Sequence, residues 1–268
     1  MATKKTKGTS LVSWDEELAK YAQESAKMEE NVASGSFFSI KSGQLSWQEN
    51  PMPGNEMAVI IVDSIMENVF YAGEYDVDDP QPPSCFAFGR TEESMIPHAA
   101  VLEAGREEHP TCSGCLNNEF GSAEKGKGKA CKNTRRLALL PAGKFLKDGS
   151  FEFNDDVDHY SSAEIGYMKL PVTSVKGYAS FVKQTAVALN RPPFGIVTRI
   201  YVVPDAKSQF KVLFEPLMNV PDDVVKIILD KHKEISSIID FPYQINTEDD
   251  SNKASKNPAK KVVKKRKY

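Results

Sequence analysis

The feature that most constrains this chain is a stretch with no means of packing itself. Residues 85 to 131 hold all four cysteines of the 268-residue sequence, Cys85, Cys112, Cys115 and Cys131, among Gly, Pro, Asn and Lys, with little apolar periodicity. Such a segment cannot offset the entropy of ordering by apolar burial, so something else must hold it. The spacing C-x26-C-x2-C-x15-C supplies a candidate. A Cys-x-x-Cys knuckle lets two thiolates reach one tetrahedral ion while other ligands arrive from distant segments, and C-x2-C-x15-C is half of a zinc-ribbon pattern. A structural Zn2+ on Cys85, Cys112, Cys115 and Cys131 is therefore expected, with His98 and His109 as alternates for Cys85. An iron-sulfur cluster uses the same four thiolates and stays open at this point. Two disulfides need an oxidising compartment that nothing in the sequence marks. A redox Cys-x-x-Cys would open a helix after a strand, whereas here Pro110-Thr111 precedes the pair and Leu116-Asn117-Asn118 follows.

Charge adds a second constraint. The formal total is −3, but Lys4, Lys5 and Lys7 and seven cations from Lys256 to Lys267 sit at the two ends with no acid beside them, leaving 24 cationic against 37 acidic side chains between residues 9 and 255. So acidic a body excludes a polyanion binder that uses its whole surface; nucleic acid must meet a local patch or the tails. One patch exists: Lys125, Lys127, Lys129, Lys132, Arg135 and Arg136 fall within twelve residues without an acid, across the loop between the third and fourth cysteines. Gly121 to Lys127 fits G-x-x-x-x-G-K, but Gly128 stands where a P-loop requires Ser or Thr for magnesium, and neither a buried strand nor a helix flanks it. The bland alternative is a solvated basic loop; its reversal of sign within an acidic body favours phosphate contact instead.

The remaining pattern is that of an ordinary folded protein, 40% hydrophobic and 26% charged, which excludes collagen-like and wholly disordered chains. The longest apolar run, Met57 to Val62, is far below the roughly 18 residues of a bilayer span, so no membrane insertion is expected, and with no leader-like start a cytoplasmic location is. Ser13 and Glu16 form a capping-box spacing ahead of a helix over Trp14–Val32. Phe37 to Trp47 reads as a hairpin turning at Gly43, and Met57 to Ile65 as a buried central strand with Val69–Ala72 as its partner. Strands are further expected at Arg136–Leu140 and Ile165–Leu170, an irregular hairpin over Ala142–Phe153, and a long hairpin from Phe194–Val203 and Gln209–Phe214. Helices are expected over Ser174–Leu189 and after Pro221-Asp222-Asp223. The organisation is a flexible basic N-terminus over 1–12, one domain over 13–243 with a metal-binding insertion at 85–135, and a disordered tail over 244–268 with a basic end.

The order Trp14-x-x-x-Leu18, Phe38, Pro53-Gly54-Asn55, Asn68-x-x-Tyr71, Pro83-x-Cys85, Cys112-x-x-Cys115, Gly121-Ser122, Gly126-Lys127-Gly128-Lys129-Ala130-Cys131-Lys132 and Arg135-Arg136-Leu137 resembles a family of tailed-phage proteins. The arrangement is also similar to phage single-stranded DNA-binding proteins in which an OB-type barrel carries a zinc knuckle. The resemblance implies replication or recombination in an infected bacterial cytoplasm, with phage replication or recombination proteins as partners. It departs from the family at the end: an acidic recruiting tail is usual there, and this chain has only Glu248-Asp249-Asp250 before a basic terminus.

Single-strand binding needs aromatic faces beside cations. Trp47, Tyr71 and Phe120 adjoin turns or the basic loop and are the stacking candidates, although strand aromatics more commonly serve a core. The expectation is thus an α+β fold, an OB-like antiparallel β-barrel with peripheral helices and a zinc-ribbon-like insertion, binding single-stranded DNA without catalysis. Two alternatives compete with it. One is a zinc-stapled adaptor for a polymerase; the other is a metal-dependent nuclease using Glu152, Asp155, Asp156, Asp158 and His159, residues that a solvated turn explains as well.

Overall fold

A strand covered on both faces reads as an unbroken apolar run, and one covered on a single face as an alternation. Both kinds occur in one sheet of the computed structural model, which describes residues 37–73 and 81–243. Its strands are β1 (Phe37–Lys41), β2 (Gln44–Trp47), β3 (Asn50–Pro51), β4 (Glu56–Phe70), β5 (Cys85–Gly89), β6 (Lys132–Phe145), β7 (Phe151–Phe153), β8 (Gly166–Leu170), β9 (Ile196–Asp205) and β10 (Gln209–Asn219). They run in the order β10-β9-β4-β6-β8-β1-β2-β3, with β5 added to β4 and β7 to β6. Every pairing is antiparallel except β1 with β8.

Four helices complete the described residues: α1 (Ala99–Glu103), α2 (Val157–Ser162), α3 (Val172–Leu189) and α4 (Asp222–Ser236). On one face Tyr178 and Phe181 of α3 join a core with Met57, Val59, Ile61, Leu137 and Leu139. On the other, Tyr160 of α2 and Val224, Ile228 and Ile235 of α4 pack with Ile60, Val62, Ala138 and Leu140. The apolar run Met57 to Val62 is continuous because alternate side chains feed two different cores.

The hairpin expected at Phe37–Trp47 forms as β1 and β2. Ser42 and Gly43 sit at φ 52° and 81°, both left-handed as a two-residue type I′ turn demands. Val69, expected to start a partner strand, instead continues β4, whose neighbours are β6, β9 and β5. The helices expected after Pro171 and Pro221 are α3 and α4, each with its proline at the N-cap position. The helix expected over Trp14–Val32, the N-terminus over 1–12 and the tail over 244–268 lie outside the described residues.

Two expectations are corrected. The sheet is open and mostly antiparallel, because no ladder among the described residues closes β2 or β3 onto β9 or β10. Its ends approach without pairing: Gly43 lies against Phe210 of β10, and Asn55 donates Nδ2–H to Gly43 O (2.8 Å) and Val202 O (3.2 Å) and accepts from the Leu45 amide (2.6 Å). Nor does the cysteine segment carry the paired strands of a zinc ribbon; between β5 and β6 its described regular structure is α1 and one 3-10 turn, Leu116–Asn118. A run of Gly, Pro and charged residues offers no alternating face on which to build a strand.

A bulge at Val62 sets the register of the far half of β4: Ile61 faces Leu139 and Asp63 faces Ala138. It is pinned from α4. His232 donates Nδ1–H to Val62 O (2.8 Å), and Ser236 Oγ donates to Asp63 Oδ2 (2.9 Å). Arg90 grips both Asp63 oxygens (2.8 and 2.7 Å).

Candidate metal and nucleic-acid site

The sheet brings the outer cysteines together. Cys85 opens β5 opposite Phe70, while Lys132, directly after Cys131, lies opposite Val69 on the other side of β4. The Cys112-x-x-Cys115 knuckle is tied down beside them: the Cys112 amide donates to Met95 O (3.1 Å), Asn118 Nδ2 donates to Cys112 O (2.9 Å), and the Asn118 amide donates to Cys115 O (2.9 Å). The Cys131 amide in turn donates to Asn117 O (2.8 Å).

All four cysteines, free of disulfides, line one cavity of about 20 Å3 together with His109 and Glu108, room for a single ion or water. His98 is elsewhere, capping α1 by accepting from the Ala100 amide (3.1 Å) and stacking on Phe86. Burial, then the neighbouring sulfurs of Cys112, Cys115 and Cys85, pushes the Cys131 thiol up to about 12. Burial likewise raises Cys85 and Cys112. Four thiolates crowded there repel one another, and a divalent cation reverses that preference. As the side chains stand, no group of three or more His, Cys, Asp or Glu among the described residues forms a ready cation site.

Between the knuckle and β6, residues 119–131 are knit into a compact loop. The Gly121 and Ala123 amides both donate to Gly128 O (2.9 and 3.2 Å), and Ser122 Oγ accepts from the Ala130 amide (2.9 Å). Lys125 and Lys127 flank the turn at Gly126 and are exposed. Phe120 is 83% exposed, with Lys129 Nζ 5.2 Å from its ring centre. Lys129 also donates to Asn118 Oδ1 (3.2 Å), and exposed Lys132 donates to Lys129 O (3.1 Å). Phe120, Lys129 and Lys132 are thus neighbours, and Lys125 and Lys127 are exposed on the same loop.

Of the other sequence candidates, only Arg135 lines a pocket with a lysine of the loop, Lys129. Arg135 and Arg136 are consecutive residues of β6 and point to opposite faces. Arg136 is 1% exposed, ion-paired with fully buried Glu67 at 3.2 Å. It donates to Ile239 O (3.1 Å) and Phe241 O (2.7 Å) and lies over the rings of Phe241 and Phe88 at 4.1 and 4.3 Å. Tyr243 hydroxyl donates to the same Glu67 carboxylate, and Lys169 donates to Tyr243 (3.2 Å). Arg136 is thus a buried structural cation, out of reach of a phosphate chain, and its assignment to the basic surface is corrected. Arg135 lies on the α3 side, 5.9 Å from the Tyr178 ring centre.

Trp47 packs on Phe38 at 4.3 Å. A Cβ at Gly166 would come within 2.9 Å of its ring, so the glycine is needed for this contact and Trp47 serves the core. Tyr71 is 40% exposed, with Lys169 Nζ 5.8 Å from its ring centre. The acids of the nuclease alternative hold a turn: Asp156 caps α2 through the Asp158 amide (3.0 Å), and Glu152 pairs with Lys144 (3.2 Å). His159 Nε2 donates to Pro141 O (3.0 Å).

Sequence reasoning missed Asn68, Asn118 and Asn133, the polar bridge between sheet and loop. Asn133 Nδ2 donates to Asn68 Oδ1 (2.6 Å) and Asn118 Oδ1 (2.9 Å). The buried Glu67 was missed as well, though an acid inside an apolar strand is itself a signal that a partner exists.

No protein-family model, curated protein or solved structure matches the chain. No helix among the described residues is long and apolar enough to cross a membrane.

Proposed function

We propose that this protein binds single-stranded DNA without catalysis, through a loop stapled to the sheet by a structural Zn2+ on Cys85, Cys112, Cys115 and Cys131. The observation that carries the reading is the convergence of four cysteines from three separated segments on one atom-sized cavity, with the exposed aromatic and cationic loop running between Cys115 and Cys131. A cavity of that size suits one ion rather than an iron-sulfur cluster, and four sulfurs suit tetrahedral zinc. Zinc binding requires the four thiol side chains to turn toward one another from where they stand. Phe120 stacks a base while Lys125, Lys127, Lys129 and Lys132 neutralise phosphates. The motif order that resembles tailed-phage proteins extends this to replication or recombination in a host bacterial cytoplasm.

Elemental analysis of the purified chain is expected to give one zinc per molecule, lost in C112S/C115S. Labelled oligonucleotides should bind with a steep salt dependence, and K125A/K127A/K129A should reduce the slope by about two, at roughly 0.7 per phosphate contact on a single strand. Metal-free protein, or salt-independent binding, sinks the reading. The exposed Ile96, Leu116 and Phe120 favour one second reading, an adaptor docking a protein partner; it requires zinc but no affinity for oligonucleotides.

A further inference from the structure

On the α3 face, beside the cysteine segment, a second pocket of about 300 Å3 opens, the size of a small-ligand site. Met66, Met95 and Val175 give it apolar surface, and Lys129 reaches it from the basic loop. Two further features set its chemistry. Arg135 lines it with a buried Nε that has no hydrogen-bond partner among the described residues. Glu92 and Glu93, both exposed, also line it.

An arginine and paired carboxylates in one pocket ask for a planar ligand with acceptors on one edge and donors on the adjoining edge. Guanine fits: O6 and N7 accept from an arginine, while N1–H and the N2 amine donate to a carboxylate. Thymine has a single ring N–H and no amine. The apolar side chains suit the base faces, and Lys129 stands where a flanking phosphate would meet it.

Resting on the single-strand reading above, we propose that this pocket takes one guanine of the bound strand, with Arg135 on its acceptor edge and Glu92 or Glu93 on its donor edge. A non-specific grip by the loop thereby gains a base preference.

The test compares labelled ten-nucleotide strands, one all thymine and others carrying a single central guanine, adenine or cytosine, by fluorescence anisotropy. The guanine strand is expected to bind about tenfold tighter than the thymine strand, the equivalent of one good base contact. E92Q/E93Q should collapse that ratio to near one; both residues are exposed, so folding is not at risk. K125A/K127A should weaken both strands alike and keep the ratio. Binding without a guanine preference, a stronger preference for adenine or cytosine, or a ratio untouched by E92Q/E93Q overturns the pocket assignment while leaving the single-strand reading intact. Failure of the wild type to bind any strand overturns that reading, and the pocket assignment with it.

Discussion

Arg135 and Arg136 are neighbours in sequence and opposites in circumstance. Around Arg136 the structure is closed: a carboxylate and two backbone carbonyls bond its two terminal nitrogens and several aromatic rings pack on the guanidinium, leaving only Nε without a partner among the described residues, and the segment up to Tyr243 lies over it. Around Arg135 the same two strands leave a pocket, and its Nε, unpartnered like that of Arg136, belongs to a side chain with no ion pair among the described residues. The contrast separates a cation retained for the fold from one available to a ligand. It also shows that a basic run divides by strand alternation before it can be read as a surface.

The sharpest way to break that contrast is to remove each cation in turn. Arg136→Met strands Glu67 as an uncompensated buried charge, and loss of one member of such a pair costs about 3–5 kcal/mol. Urea unfolding should therefore show a large fall in midpoint. The double change R136M/E67L should recover part of it, since well-packed apolar replacements of buried ion pairs are often tolerated. If R136M unfolds like wild type, the cage contributes nothing and Arg136 is free for another role.

How much of this was legible beforehand varies by cause. The cysteine convergence was, because spacing and ligand type are local, and so were the apolar strand at Met57, the Ser42-Gly43 hairpin and the long β9–β10 pair. Arg136's burial was legible in principle: the expected strand Arg136–Leu140 already implied that adjacent arginines face opposite ways. Whether the sheet closes into a barrel was not, because closure depends on pairing between β2 and β9, far apart in sequence, where the structure has the Asn55 bridge and side-chain packing but no ladder. The pocket beside Arg135 was hidden for a similar reason, since its lining comes from β4, β6, α3 and two loops.

The bulge at Val62 decides which residues of β4 share a face with Arg135, so loosening it tests the comparison at its origin. Burial alone would raise the Asp63 carboxyl, but hydrogen bonds from Arg90, the Ser64 amide and Ser236 outweigh it and hold the group below the ordinary aspartate value of 3.8. A depressed folded value contributes stability that is complete above 3.8 and is lost as pH falls through the folded value. Asp63→Asn should cost about 1–2 kcal/mol at neutral pH, discounted because Arg90 is half exposed. The gap from wild type should close on acidification below pH 3.8. A gap that stays constant with pH would show that the carboxylate charge does not hold the bulge.

Asn133→Ala removes the amide that joins Asn68 to Asn118, and so the side-chain link between the sheet and the loop. The expected cost is about 1 kcal/mol in global unfolding, with faster amide hydrogen exchange confined to residues near Asn118. Exchange unchanged in that segment would mean that the cysteines alone hold the loop.

The smallest effect belongs to Arg135. Its guanidinium makes one distant ring contact and no ion pair among the described residues, while its Nε carries a desolvation cost without a bond. Arg135→Met keeps the packing of the side-chain stem and should change stability by less than about 0.5 kcal/mol, or raise it slightly. Set beside R136M in the same urea series, this gives the comparison its numerical form: two adjacent arginines, one change near neutral and the other severe. A loss at Arg135 approaching that at Arg136 would mean that Arg135 belongs to the fold as well, and that the pocket it lines is not free for a ligand.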